Sequence, residues 1–179
     1  MRVVLDACVL YPSVLREILI DVAARGAFTP LWSARILAEW QRAAARLGTP
    51  GEAIASGEIA ALRARWRDAE IATDPTIEAR LWLPDPADVH VLATAIAGGA
   101  ARIVTLNMRD FPQRELAADG ITAQSPDDFL MECSLDLPDV VEAAVRAAHR
   151  RTEDLSGRDQ NLRALLKRAK LPRLGKALG

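Results

Sequence analysis

Two short apolar runs limit what this chain can fold into. Val3-Val4-Leu5 ends at Asp6, and Ile103-Val104 ends at Thr105 and Asn107. Each run is β-branched on consecutive positions, which marks a strand buried on both faces. Helical patterning follows each of them. Strands that alternate with helices form a parallel sheet with helices on its two faces. The expected fold is therefore three-layer α/β/α around a central parallel sheet. Sheets of this kind place their functional crevice at the carboxyl ends of the strands. Asp6 would stand at that mouth, where a carboxylate can face water or a cation.

The remaining elements follow from periodicity and capping. Leu15, Ile18, Leu19 and Val22 recur at helical spacing after Pro12-Ser13, with Gly26 as the stop. The segment FTPLW is a connector with a short extended piece. Ser33 is an N-cap for ARILAEWQRAAARLG, which Gly48 would close. Residues 50–70 read as one helix or two, Gly57 being the weak point. EIATD is a candidate second strand and TIEARLWL a short helix. Asp85 or Pro86 opens a helix with Val89, Leu92, Ala93 and Ile96 on its apolar face, stopped by Gly98-Gly99. Gly120–Ala123 is a candidate last strand, and Ser125 caps the helix SPDDFLMEC. From Pro138 onward the pattern is helical: DVVEAAVRAAHRR, RDQNLRALLKRAK and a short Pro172-led piece.

The 179 residues suffice for one domain and a small appendage. Half the residues are hydrophobic and 26% charged, a globular balance. The net charge of −1 gives no overall pull on nucleic acid. The charge is unevenly spread, however. Residues 1–133 hold 13 Arg against 18 Asp and Glu, a balance of −5. Residues 134–179 hold 10 Arg and Lys against 6 acids, a balance of +4. An acidic domain over 1–133 followed by a basic helical extension over 134–179 is the expected organisation. Cys8 and Cys133 make neither a disulfide framework nor a zinc pattern, which suits free thiols in a reducing cytoplasm. No apolar run is long enough for a membrane span, and Asp6 interrupts any signal-peptide core.

Four acids form the candidate chemistry. Asp6 and Asp110 follow strands; Glu39 and Asp88 lie on helices that flank the crevice. Each has a structural reading too. Asp6 and Asp110 can cap helices, and Glu39 can pair with Arg35 or Arg42 on a helix surface. Asp88 can compensate a helix dipole, and Asn107 can serve a turn. As a set, unpaired carboxylates would repel one another and raise their pKa values. A hard divalent cation such as Mg²⁺ removes that conflict and can activate water against a phosphate.

The order of LDACVLYP, SARILAEW, DPADVHVLATAIAGGA and IVTLNMRDFP resembles the PIN-domain nucleases. It is most similar to the group containing the toxin ribonucleases of toxin–antitoxin modules (VapC-like proteins). The resemblance spans about residues 1–133. It implies acids that bind Mg²⁺ or Mn²⁺ and act in catalysis at Asp6, Glu39, Asp88 and, fourth, Asp110 or Asn107. Asp110 is the preferred charged ligand, with Asn107 and Thr105 in support. It further implies cleavage of RNA, and a cognate antitoxin and a homodimer as partners. Cys8 departs from the small polar residue usual at its position. His90 either contacts RNA or is structural, and Asp85 either supplements Asp88 or caps the helix.

The tail has three readings. Arg150, Arg151, Lys167 and Arg168 can track RNA phosphates or form a solvated face. Alternatively, Leu162, Leu165, Leu166 and Leu171 can contact a subunit or antitoxin. Two other functions use the same fold: a non-catalytic RNA-binding or regulatory module, and a metal-dependent DNA nuclease or phosphatase. An aspartyl-phosphate phosphatase usually needs an acid where Cys8 stands, which counts against that reading.

Overall fold

The computed structural model describes residues 1–179. In chain order the elements are β1 (Arg2–Leu5), α1 (Ala7–Leu10), α2 (Ser13–Ala24), β2 (Thr29–Leu31), α3 (Ala34–Ala45), α4 (Thr49–Arg65), α5 (Pro75–Glu78) and α6 (Val89–Ala97). Then come β3 (Arg102–Val104), α7 (Gln113–Leu116), β4 (Thr122–Gln124), α8 (Pro126–Asp136), α9 (Pro138–Ser156), α10 (Leu162–Arg168) and α11 (Pro172–Leu178). The chain divides into two compact units. One holds Met1–Tyr11 and Thr29–Gln124; the other holds Pro12–Phe28 and Ser125–Gly179.

The first unit contains a four-stranded sheet of order β2-β1-β3-β4, parallel throughout. Val3, Val4 and Leu5 are fully buried although successive side chains point to opposite faces. Both faces of β1 are therefore covered, as the α/β expectation requires. The chain leaves β1 for β2 on one side and later returns to β3 on the other. The switch point thus falls between β1 and β3, where such sheets hold their sites. Val4 pairs with Ile103 and Leu5 with Val104, and Asp6 N donates to Val104 O at 3.1 Å. This register sets Asp6 beside Thr105.

Ser33 Oγ accepts from Ile36 N at 3.2 Å, capping α3. Ile36, Leu37 and Trp40 form its buried stripe. Gly48, at φ +87°, makes the turn from α3 into α4. α4 runs unbroken through Gly57, whose Cβ position faces open space. A three-residue 3-10 turn, Pro86–Asp88, leads into α6, with Asp85 Oδ1 accepting from Ala87 N at 2.8 Å.

Three expected elements differ. EIATD is not a strand: it makes a single parallel bridge, Glu70 to Trp32. The second strand is instead Thr29–Leu31 within FTPLW, where Pro30 occupies a position on the sheet's edge strand. The helix expected over TIEARLWL shrinks to Pro75–Glu78, capped by Asp74.

In the second unit, α2 and α8 pack against α9, and α10 packs against α11. Phe28 and Phe129 meet edge to face, 5.0 Å between centroids. Asp127 accepts from Arg173 N at 2.9 Å and Leu174 N at 3.0 Å, capping α11 from a different helix. Leu162, Leu165, Leu166 and Leu171 are buried inside this unit. They are core residues, so the subunit or antitoxin contact expected through them is overturned.

Candidate active site

Asp6 ends β1 and is only 4% exposed. It does not cap the following helix with its side chain. Its Oδ2 instead accepts from Thr105 Oγ1 at 2.7 Å and from Cys8 Sγ at 3.1 Å. Backbone donors brace both partners: Asn107 N reaches Thr105 Oγ1 at 3.0 Å, and Leu106 N reaches Cys8 Sγ at 3.2 Å. The two β3-end N–H groups therefore hold the two residues that hold Asp6. Both side-chain bonds land on one oxygen, so Oδ1 keeps its lone pairs for another partner.

Burial, followed by the Asp6 charge, pushes the Cys8 thiol up to about 12. At neutral pH it is a protonated hydrogen-bond donor and not a nucleophile. Cysteine at this position thus supplies the donor that a small polar residue would supply.

Asp88, at the head of α6, is half-buried, and its carboxyl is raised to about 6. Burial is the largest cause. The negative charges of Asp6, Asp85, Asp110 and Glu39 follow in that order. Four carboxylates drawn from the ends of β1 and β3, from α3 and from the α6 entry all act on one group. Asp85 thus both caps the turn and adds charge to the cluster. Asp110 closes a 3-10 turn, Met108–Asp110, and is half-buried, while Asn107 is exposed.

Glu39 is held differently. Its Oε1 lies 2.9 Å from His90 Nε2, 3.6 Å from Arg35 Nε and 3.7 Å from Arg42 Nη2. Burial pushes its carboxyl up, but the His90 contact and the arginines outweigh burial and hold it below the ordinary value. The expected helix-surface pairs are thus both present. His90 is fully buried, so it does not reach RNA; its ring meets Glu39 closely but is not aimed for a straight hydrogen bond.

The oxygen donors and unneutralised charge suit a hard cation. As they stand, no three acidic, histidine or cysteine side chains converge closely enough to hold one. The charges of the other acids act together on Asp88, without three of these side chains gathering at one point. Asp6, Asp88 and Asp110 are visible in the sequence by their places at element ends, and Glu39 by its place within the helix after Ser33. The Glu39–His90 contact is not, because it spans separate helices and leaves no local pattern.

A model of the PIN domain matches residues 2–109, and the chain belongs to this family. PIN domains are generally nucleases, hydrolases that typically use divalent metals. The match takes in Asp6, Glu39, Asp88, Thr105 and Asn107 and stops one residue short of Asp110. No curated protein and no solved structure matches the chain. No helix is long and apolar enough to cross a membrane.

Proposed function

We propose that this chain is a metal-dependent endoribonuclease acting through Asp6, Glu39, Asp88 and Asp110. The observation that carries the reading is the gathering of Asp6, Glu39, Asp85 and Asp110 around half-buried Asp88 at the β1/β3 switch point, where burial first and these charges second raise the Asp88 carboxyl. A protein gains nothing in stability from such crowding. A site that neutralises the charge with a bound cation explains it. Asp6 Oδ1, Asp88, Asp110 and Glu39 are the groups that would hold the ion. When bound, Mg²⁺ or Mn²⁺ supplies Lewis-acid polarisation of the phosphate and lowers the pKa of an attacking water. Thr105 and Cys8 fix the Asp6 carboxylate, and His90 with Arg35 and Arg42 fixes Glu39. Such contacts orient the two carboxylates.

The order of the four motifs supports a finer reading, the toxin of a toxin–antitoxin module with an antitoxin partner and a homodimeric form. Growth arrest on expression, relieved by co-expression of a small neighbouring reading frame, tests that part. The chemistry is tested with end-labelled single-stranded RNA and DNA of one sequence. RNA should be cleaved in Mg²⁺ or Mn²⁺ and left intact in EDTA. Cleavage of DNA with RNA left intact would reassign the substrate, and metal-independent cleavage would reject the chemistry.

A further inference from the structure

Trp82 is 58% exposed, whereas Trp32 and Trp40 are sealed in the core. It borders a groove of about 450 Å³ shared with Arg80, Leu92, Glu115 and Asp119. Leu92 ends the first turn of α6, and Asp88 closes the 3-10 turn that leads into that helix. The groove and the acidic cluster thus share the start of α6, and none of the four acids lines the groove. Arg80 and Asp119 are 4.0 Å apart, and the Arg80 side chain is largely exposed. An exposed pair at that distance holds little energy, so Arg80 is available to another anion.

We infer that this groove binds a nucleobase of single-stranded RNA beside the cleavage site. The base stacks on the Trp82 indole. Arg80 meets the adjoining phosphate, and Glu115 and Asp119 accept from base N–H groups. Every base has a face that an indole can stack on, so Trp82 gives affinity with little selectivity. The two carboxylates can accept from the exocyclic amino groups of cytosine, adenine and guanine and from the ring N–H of guanine and uracil, so they orient a base without excluding one. An aromatic face, a cation and carboxylate acceptors match one nucleotide more closely than they match an apolar peptide. The inference rests on the ribonuclease reading.

The test uses the full chain carrying Asp6→Asn, so that RNA stays uncut, in Mg²⁺ with a fluorescein-labelled short oligoribonucleotide. Anisotropy gives Kd for this parent and for added Trp82→Ala, Trp82→Phe or Arg80→Gln. Trp82→Ala should weaken binding roughly five- to a hundredfold, with Trp82→Phe retaining most of the affinity. Arg80→Gln should lower the log–log salt slope by about 0.7. Binding should also quench the parent's tryptophan emission. Equal affinity of parent and Trp82→Ala would overturn the inference and leave the groove to a protein partner. If the chain with Asp6 intact cleaves the same RNA and Trp82→Ala changes neither KM nor kcat, this groove is excluded while the nuclease reading stands. RNA that is neither bound nor cut would remove the nuclease reading and this inference with it.

Discussion

Thr105 Oγ1 donates to Asp6 Oδ2 at 2.7 Å, joining the carboxyl ends of two neighbouring parallel strands. Both residues are buried, and the acceptor is a carboxylate. Hydrogen bonds to charged groups contribute about 1.5–3 kcal/mol, and an unmade one leaves buried groups unsatisfied. Thr105→Val keeps the shape, removes the donor, and also strands the Asn107 N–H. It should lower the unfolding free energy by about 1.5–3 kcal/mol in urea titrations. Thr105→Ser keeps the bond and should cost about 1 kcal/mol for its lost methyl. A valine variant as stable as wild type would mean that the bond does not hold Asp6.

Asp88 gives the metal-free protein a pH signature. Its folded carboxyl is raised to about 6 from an ordinary 3.8. The fold therefore favours the protonated form. That stabilising contribution is fully present below about 3.8 and is lost as pH rises through about 6. In EDTA, Asp88→Asn should match or exceed wild-type stability at neutral pH, with the variant's relative advantage shrinking toward about pH 4. Mn²⁺ should stabilise the wild type more at pH 7 than at about pH 5, because binding displaces the Asp88 proton. Urea midpoints across this range supply the check. A wild-type-to-variant difference that does not change with pH would show that Asp88 is not crowded.

The basic tail makes a separate prediction. Arg150 and Lys167 project from exposed positions, Arg151 lies 3.8 Å from Glu17, and Arg168 bonds Gln160 at 2.9 Å. If the four track phosphates, replacing all of them with Gln should weaken RNA binding. The log–log salt slope should fall by about 0.7 for every phosphate that is no longer neutralised. A slope that does not move would leave the tail as a solvated face.

The site is legible in the sequence wherever a local pattern carries it. Val3–Leu5 followed by Asp6 is such a pattern, as are Ser33 before α3 and Asp85-Pro86 before α6. Arg35 and Arg42 near Glu39 are visible as helical neighbours. What is not legible depends on contacts between distant segments. β2 is legible only as the short extended piece of FTPLW, because Pro30 masks a fuller strand signal, and EIATD misleads because Ile71 looks strand-like where only Glu70 bridges. The segment Pro12–Phe28, which holds α2, shares a unit with α8 and α9 through contacts such as Phe28 on Phe129, more than a hundred residues away. The tail leucines look free in the sequence only because α10 and α11, which bury them together, are adjacent short helices with no shared sequence signature.

The central claim is that these acids perform metal-dependent phosphodiester cleavage, and Asp6→Asn tests it most directly. Asparagine keeps the size and an acceptor oxygen for Thr105 and Cys8, so the fold should persist. The measurement is the initial rate of single-stranded RNA cleavage at saturating Mg²⁺, with circular dichroism confirming that both proteins are folded. The predicted result is a loss of at least about a hundredfold, as when one electrostatic catalytic group is removed. A folded Asp6→Asn protein that cleaves RNA at the wild-type rate would contradict the claim.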